Sequence, residues 1–177
     1  VVSIGPRSMT TADGRTHNVE VLMHATGFRA TEPILAPSIV GRDGRSLADA
    51  WQGSPKAYMG TTVAGFPNLF MLAGPNTGLG HSSVILMAEA QIEHVLGVIM
   101  LAQSRAAGAI EPRPEAQARF VSRIDAGHAN TVWTVGGCQS WYLDRTGRNS
   151  TLWPFGVGEF RRTVEQVVAA DYASTPA

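Results

Sequence analysis

The stretch Leu69-Phe70-Met71-Leu72-Ala73-Gly74-Pro75-Asn76-Thr77-Gly78-Leu79-Gly80-His81-Ser82-Ser83, continuing into the run from Val84 to Ala102, decides how the chain reads. Five consecutive apolar residues of strand length pass through a glycine-rich turn into a segment whose apolar positions, among them Val84, Met87, Ile92, Val95 and Ile99, recur at helical spacing. A run apolar at every position predicts a parallel strand buried on both faces. Strand, glycine turn and helix together are the unit of an α/β fold, and ligands of such folds sit beyond the carboxyl ends of the strands. The free amides of the turn and the positive end of the helix dipole would converge on one spot, suited to an anion or a polarised carbonyl. Ser82 or Ser83 is the candidate N-cap. The turn is neither G-x-G-x-x-G nor G-x-x-x-x-G-K-[ST], because Ser83 stands where a third glycine would follow Gly78 and Gly80. A tight βα turn without a ligand is the plain alternative.

Upstream, Val1 to Ile4 is β-prone, and an Asp13-Gly14 turn precedes an alternating run from Val19 to His24. These predict a hairpin feeding a buried strand that ends at Ala25-Thr26-Gly27-Phe28. Pro33, Pro37, Gly41, Gly44, Gly53 and Pro55 then scatter turn signals over a long loop with room for one short helix, Ser46 to Trp51. Tyr58 to Val63 reads as another strand. Downstream, the long helix is expected to stop near Gly108, followed by a helix over Ala116 to Ile124 capped by Gly127. Weak strand character covers Asn130 to Val135, and a last helix is expected from Gly158 to Tyr172. The chain thus divides into residues 1–28, 29–57, 58–103 and 104–177.

The chain has 177 residues, 44% of them hydrophobic and 16% charged, which excludes a disordered tail and gives one domain with a real core. Fourteen basic residues balance fourteen acidic ones, so no net field draws nucleic acid or an anionic membrane. The single cysteine, Cys138, can neither close an internal disulfide nor build a thiolate metal site, and a reducing, cytoplasmic setting fits. Glu89, Gln91, Glu93 and His94 interrupt the most apolar stretch, which argues against a membrane span. One lysine against thirteen arginines, with abundant Ala and Gly, points to a high-GC genome. The sequence opens on Val1 and enters a strand at once, the pattern expected of a piece of a longer chain.

Ala25-Thr26-Gly27-Phe28 after an apolar strand, Gly60-Thr61-Thr62-Val63-Ala64-Gly65-Phe66-Pro67-Asn68-Leu69-Phe70 and Gly74-Pro75-Asn76-Thr77 resemble the C-terminal half of class B flavoprotein monooxygenases. Cys138-Gln139-Ser140-Trp141-Tyr142, Gly147-Arg148-Asn149 and Trp153-Pro154 are similar to the tail of the Baeyer–Villiger branch, although Phe155 stands where that branch has glycine. The resemblance runs from about Val2 to Val168. It implies an α/β fold, the C-terminal part of an FAD-binding, Rossmann-like, doubly wound domain with β-meander strands, a long helix after the last strand and a helical, irregular tail. It implies FAD and NADPH as cofactors of the parent enzyme and a ketone or soft heteroatom as substrate, oxidised through a C4a-peroxyflavin. Gly74, Pro75, Asn76, Thr77, Gly78, Leu79, Gly80 and Ser82 would approach the flavin. Trp141 would reach the NADPH ribose, and Ala25, Thr26 and Gly27 would form the inter-domain hinge.

Both dinucleotide-binding glycine turns of the family, the signature between them and its flavin-side arginine are absent from this sequence, and Arg29 is not that arginine. The chain alone is therefore expected to bind neither cofactor and to lack turnover. It should also self-associate or pair with an N-terminal half, since an uncovered strand edge and helix face are unstable in water. A non-catalytic binding or assembly module from a truncated or split gene is the other reading, and a small hydrolase is excluded for want of a G-x-S-x-G elbow. No metal site is read. His81 reads as a helix-start residue, His24 and His94 as packing or surface, Cys138 as inert, Glu89 and Glu93 as a solvated face, and Trp133 and Trp153 as core.

Overall fold

The computed structural model describes residues 1–25, 27, 30–137 and 140–176 of the chain. Its N-terminal segment is an antiparallel meander of β1 (Ser3–Ile4), β2 (Ser8–Thr10) and β3 (Thr16–Asn18). The Asp13-Gly14 turn joins β2 to β3 as expected, with Thr11 N–H on the Arg15 carbonyl and the Asp13 carboxylate accepting from the Arg15 amide. The strand expected over Val19 to His24 is not formed. Pairing stops at Asn18, because β3 is the sheet edge and no described segment lies along the exposed residues Val21 to His24.

In the proline-rich loop, Ser46 caps α1 (Leu47–Trp51), its hydroxyl accepting from the Asp49 amide at 3.1 Å. Leu47 and Trp51, one turn apart, bury themselves with Ala36, Val63 and Phe66 in a small core. Tyr58 to Val63 is a tight reversal rather than a strand. Tyr58 N–H bonds the Thr62 carbonyl at 2.7 Å, Thr61 N–H returns to the Tyr58 carbonyl, and Met59 and Gly60 take positive φ, which leaves no length for pleating.

Leu69 to Ala73, expected as a strand buried on both faces, is not a strand either. Asn68 and Ala73 bracket it at φ of 58° and 52°, Leu72 and Ala73 are exposed, and a single ladder-like bond joins Met71 N–H to the Thr61 carbonyl. A parallel strand is held by neighbours, and no described strand runs beside this one. The doubly wound parallel sheet is accordingly not formed among the described residues, whose two sheets are both antiparallel.

The long helix is present as α2 (Val84–Ser104) and turns Met87, Gln91, His94 and Val98 inward at intervals of three and four residues. It is long and apolar enough to cross a membrane by length and composition, yet this buried stripe packs it into the protein. It ends at Ser104, short of Gly108, because β4 (Ala107–Pro112) follows and pairs with β5 (Tyr172–Pro176). α3 (Pro114–His128) opens on a proline and runs straight through Gly127. That glycine caps nothing: a Cβ there would press on Pro154 and Phe155. α4 (Val132–Val135) is a short helix where strand was expected. α5 (Val157–Glu165) covers only the first part of the expected last helix, and a 3₁₀ turn at Ala169–Asp171 leads into β5.

These elements close on Trp153. Its ring lies edge-on to Phe160 and Phe155, each at 5.1 Å, and stacks on Phe120 at 6.3 Å, while Tyr58 meets Phe120 and Tyr172 edge-on. Trp153 is core as read; Trp133 instead packs on the half-buried Tyr142 near the surface.

Candidate functional site

The loop from Gly74 to Ser83 is stitched on three sides. From α2, the Gln91 amide group accepts from Ala73 N–H at 2.9 Å and donates to the Gly60 carbonyl at 3.0 Å, tying the loop entrance to the Tyr58–Thr62 turn. Gly74 lies flat on that turn, where a Cβ would overlap the Gly60 carbonyl. Within the loop, Thr77 Oγ1 donates to the Gly74 carbonyl at 2.7 Å. From the tail, the carbonyls of Ser150 and Thr151 accept from the amides of Asn76 and Gly78, and Trp153 N–H bonds the Gly78 carbonyl. The expectation of free loop amides is thus corrected: two of them are spent on the chain itself. Ser83, not Ser82, is the N-cap, and its side chain makes no capping bond.

The opposite flank of the loop borders a cavity of about 360 Å³. Met71, Leu72, Gly74, Pro75, Thr77 and Gly78 form one wall; Leu35, Ile39 and Trp51 form the other; Val84 at the start of α2 and Ser150 close the ends. None of the described lining residues is charged. The Ser150 hydroxyl is buried without a partner among the described residues.

The structure therefore brings Gly74, Pro75, Thr77 and Gly78 to one cavity. Asn76 is buried behind them and Leu79 packs toward the main core. Gly80 lies against the Trp133 ring, Ser82 is exposed, and Trp141 is 55% exposed. Trp141 leans on Tyr142 at 4.6 Å, which meets Trp133 edge-on at 5.0 Å, so an aromatic chain links Trp141 to Gly80 at the far end of the loop, away from the cavity lining. Ala25 and Gly27 are exposed, while Thr26, Arg29 and Cys138 lie outside the described residues. His81 and His24 are exposed.

Two histidines are buried close to this framework. His94 Nδ1–H donates to the Val164 carbonyl at 2.7 Å, so its Nε2 accepts from the Tyr172 hydroxyl at 2.9 Å. Burial pushes its pKa below the ordinary histidine value against the pull of that carbonyl. His128 donates to the Leu152 carbonyl at 2.9 Å and is likewise lowered, first by burial and then by the Arg148 charge. Burial raises the hydroxyl pKa of Tyr58, whose proton goes to Asp171 at 2.6 Å, and of Tyr172. These groups hold protons in fixed places; none borders the cavity.

Sequence reading missed the far wall, Leu35, Ile39 and Trp51, and the strap from Arg148 to Thr151. The Ser46 cap followed by Leu47 and Trp51 at i, i+4 could have found the wall, and polar residues crowded between Gly147 and the apolar Leu152-Trp153 could have found the strap.

No protein-family profile matches the chain. A Baeyer–Villiger monooxygenase of Pseudomonas aeruginosa is 43% identical over 181 residues, covering 99% of this chain and 34% of its own length. Cyclohexanone monooxygenase from Rhodococcus sp. Phi1, solved bound to NADP+, superposes with a TM-score of 0.74 at 31% identity over 93% of this chain and 32% of that one. The OTEMO structure with FAD and NADP gives a TM-score of 0.78 at 28% identity over 96% and 32%. The chain spans about a third of the length of the curated relatives it matches. In sequence and in fold the chain matches the C-terminal part of Baeyer–Villiger monooxygenases.

Proposed function

We propose that the chain supplies the flavin-ring side of an FAD- and NADPH-dependent monooxygenase that inserts oxygen into a ketone or oxidises a soft heteroatom. The observation that carries this reading is the apolar cavity between the Gly74–Gly80 loop, the start of α2 and Trp51. Its volume and uncharged walls fit the planar, largely apolar end of a flavin and do not fit a pyrophosphate, which needs glycine-turn amides or cations. FAD, when bound, would supply the oxygen-activating redox chemistry and NADPH the hydride.

The residues of this chain would do the rest. Gly74, Pro75, Thr77 and Gly78 would hold one face of the ring, with Leu72 and Val84 excluding water. The positive end of α2 would favour negative charge beside it. Trp141, 55% exposed and with an indole N–H that can donate, would serve the nicotinamide side at the outer end of the loop. Ala25, Thr26 and Gly27 would be the hinge. The outer face of α2, where Ile85, Leu96 and Met100 are exposed, would be covered by the dinucleotide-binding part of the enzyme, or by a second copy of the chain when that part is missing. The setting would be the cytoplasm.

Absorbance spectra test this. The purified chain should be colourless after incubation with FAD and should oxidise NADPH at background rate. Co-expression with the N-terminal two thirds of the Pseudomonas aeruginosa relative should give a yellow complex, and Leu72→Trp, which fills the cavity from an exposed position, should cut its flavin content at least fivefold. Stoichiometric flavin on the chain alone, or full flavin content in the Leu72→Trp complex, would overturn the reading.

A further inference from the structure

The strap that holds the loop contains one cation, Arg148, whose side chain is only 12% exposed. Three of its nitrogens are committed to three different segments. Nε donates to Asp125 Oδ1 on α3 at 2.7 Å, Nη1 to the Pro55 carbonyl at 2.9 Å, and Nη2 to Asn76 Oδ1 at 2.7 Å. Asp125 balances the charge. Asn76 is held from every other side as well: its Nδ2 donates to the carbonyls of Asn149 at 2.7 Å and Leu152 at 3.0 Å, and its backbone N–H to Ser150. Its φ is +59°, a left-handed conformation that asparagine tolerates but that a fixed partner must hold.

The geometry points to Arg148 as the positioning residue of the Gly74–Gly80 loop: acting through Asn76, its guanidinium sets where the loop backbone stands relative to the start of α2 and the cavity. A planar guanidinium reaches the three acceptors at once, and a lysine ammonium on its flexible stem cannot reproduce that fork. The functional weight of this placement rests on reading the loop as the flavin-facing element, but the placement itself is a property of the chain without cofactor. A staple of general stability would act differently: its loss would loosen the whole body, β4 and α5 included, together with the loop.

Amide hydrogen exchange on the chain separates the two. Arg148→Gln should speed exchange at Asn76 and Gly78 at least tenfold while β4 and α5 keep their protection. Asn76→Gly, which keeps the left-handed backbone and deletes the acceptor, should do the same, and Arg148→Lys should restore less than half of the lost protection. Equal acceleration in the loop, β4 and α5, or an unchanged loop in Asn76→Gly, would overturn the assignment. In the yellow complex, Arg148→Gln should also shift the flavin absorbance maximum, a change that global loosening does not produce. A loosened loop with an unshifted flavin spectrum would uphold Arg148 as the positioning residue and sink the flavin-facing reading instead.

Discussion

The N-terminal segment (the meander with the residues that follow it to His24) and the body around Trp153 both carry large apolar residues, and they dispose of them in opposite ways. Val1, Val2, Ile4, Val21 and Met23 are all more than half exposed, whereas Met87, Val98, Ile124, Phe160 and Val164 are sealed from solvent. A small sheet on which no described element is stacked gains little hydrophobic free energy to offset the entropy of ordering its strands. The body, by contrast, closes on itself through three helices, a two-stranded sheet and a chain of edge-to-face rings. The difference teaches that sealing is local: half of α2 belongs to the finished core, and its outer half, like the meander, presents apolar surface for something else to cover.

The most direct way to break this comparison is to open the core. Phe160→Ala should cost about 3–5 kcal/mol in urea unfolding, because a buried ring is lost and its neighbours Trp153 and α2 collapse only partly. A loss under about 1 kcal/mol, within the range of ordinary surface changes, would mean that the body is no better sealed than the meander.

Acid should sharpen it. His94 and His128 are lowered in the fold, so at mildly acid pH the unfolded chain binds protons that the folded chain refuses. Their contribution is complete above the ordinary histidine value of about 6.5 and is lost as pH falls from there through the folded values. Thermal unfolding followed from pH 7.5 downward should show stability falling by at most about 1.4 kcal/mol per pH unit for each histidine, and His94→Gln should remove its share of the slope. A flat profile would show that neither histidine is held neutral.

The smallest effect is expected just beyond the meander, where Val21→Ser and Met23→Ser should change stability by less than about 0.5 kcal/mol. A loss above about 2 kcal/mol would mean that the isolated chain already covers this surface.

What the sequence disclosed follows from how local each determinant is. α2 was readable because its period is written in its own residues, and the Asp13-Gly14 turn because it needs only itself. β4 and β5 were hidden: Ala107-Gly108-Ala109 and Pro112 carry no strand signature, and the pairing exists only because residues sixty or more positions apart meet. Leu69 to Ala73 misled for the converse reason, an apolar run without a described neighbour to make it a strand. The near wall of the cavity was visible in the glycines, whereas its far wall depends on how the proline-rich loop folds back. Arg148 was quoted as part of a motif, and its three acceptors lie 23, 72 and 93 residues away.

Gly60 and Gly74 rest back to back, a Cβ on the first overlapping the Thr77 methyl and one on the second overlapping the Gly60 carbonyl. Neither loop can therefore drift in composition alone, since enlarging either residue displaces the other loop before any ligand is met. In a saturation library selected only for folded protein, these two positions should return glycine and nothing else, while Gly14 and Gly44, whose surroundings are open, should also return asparagine and aspartate. The two loops behave as a single inherited part, so any variation of the cavity in this chain has to enter from its other wall, through Leu35, Ile39 and Trp51.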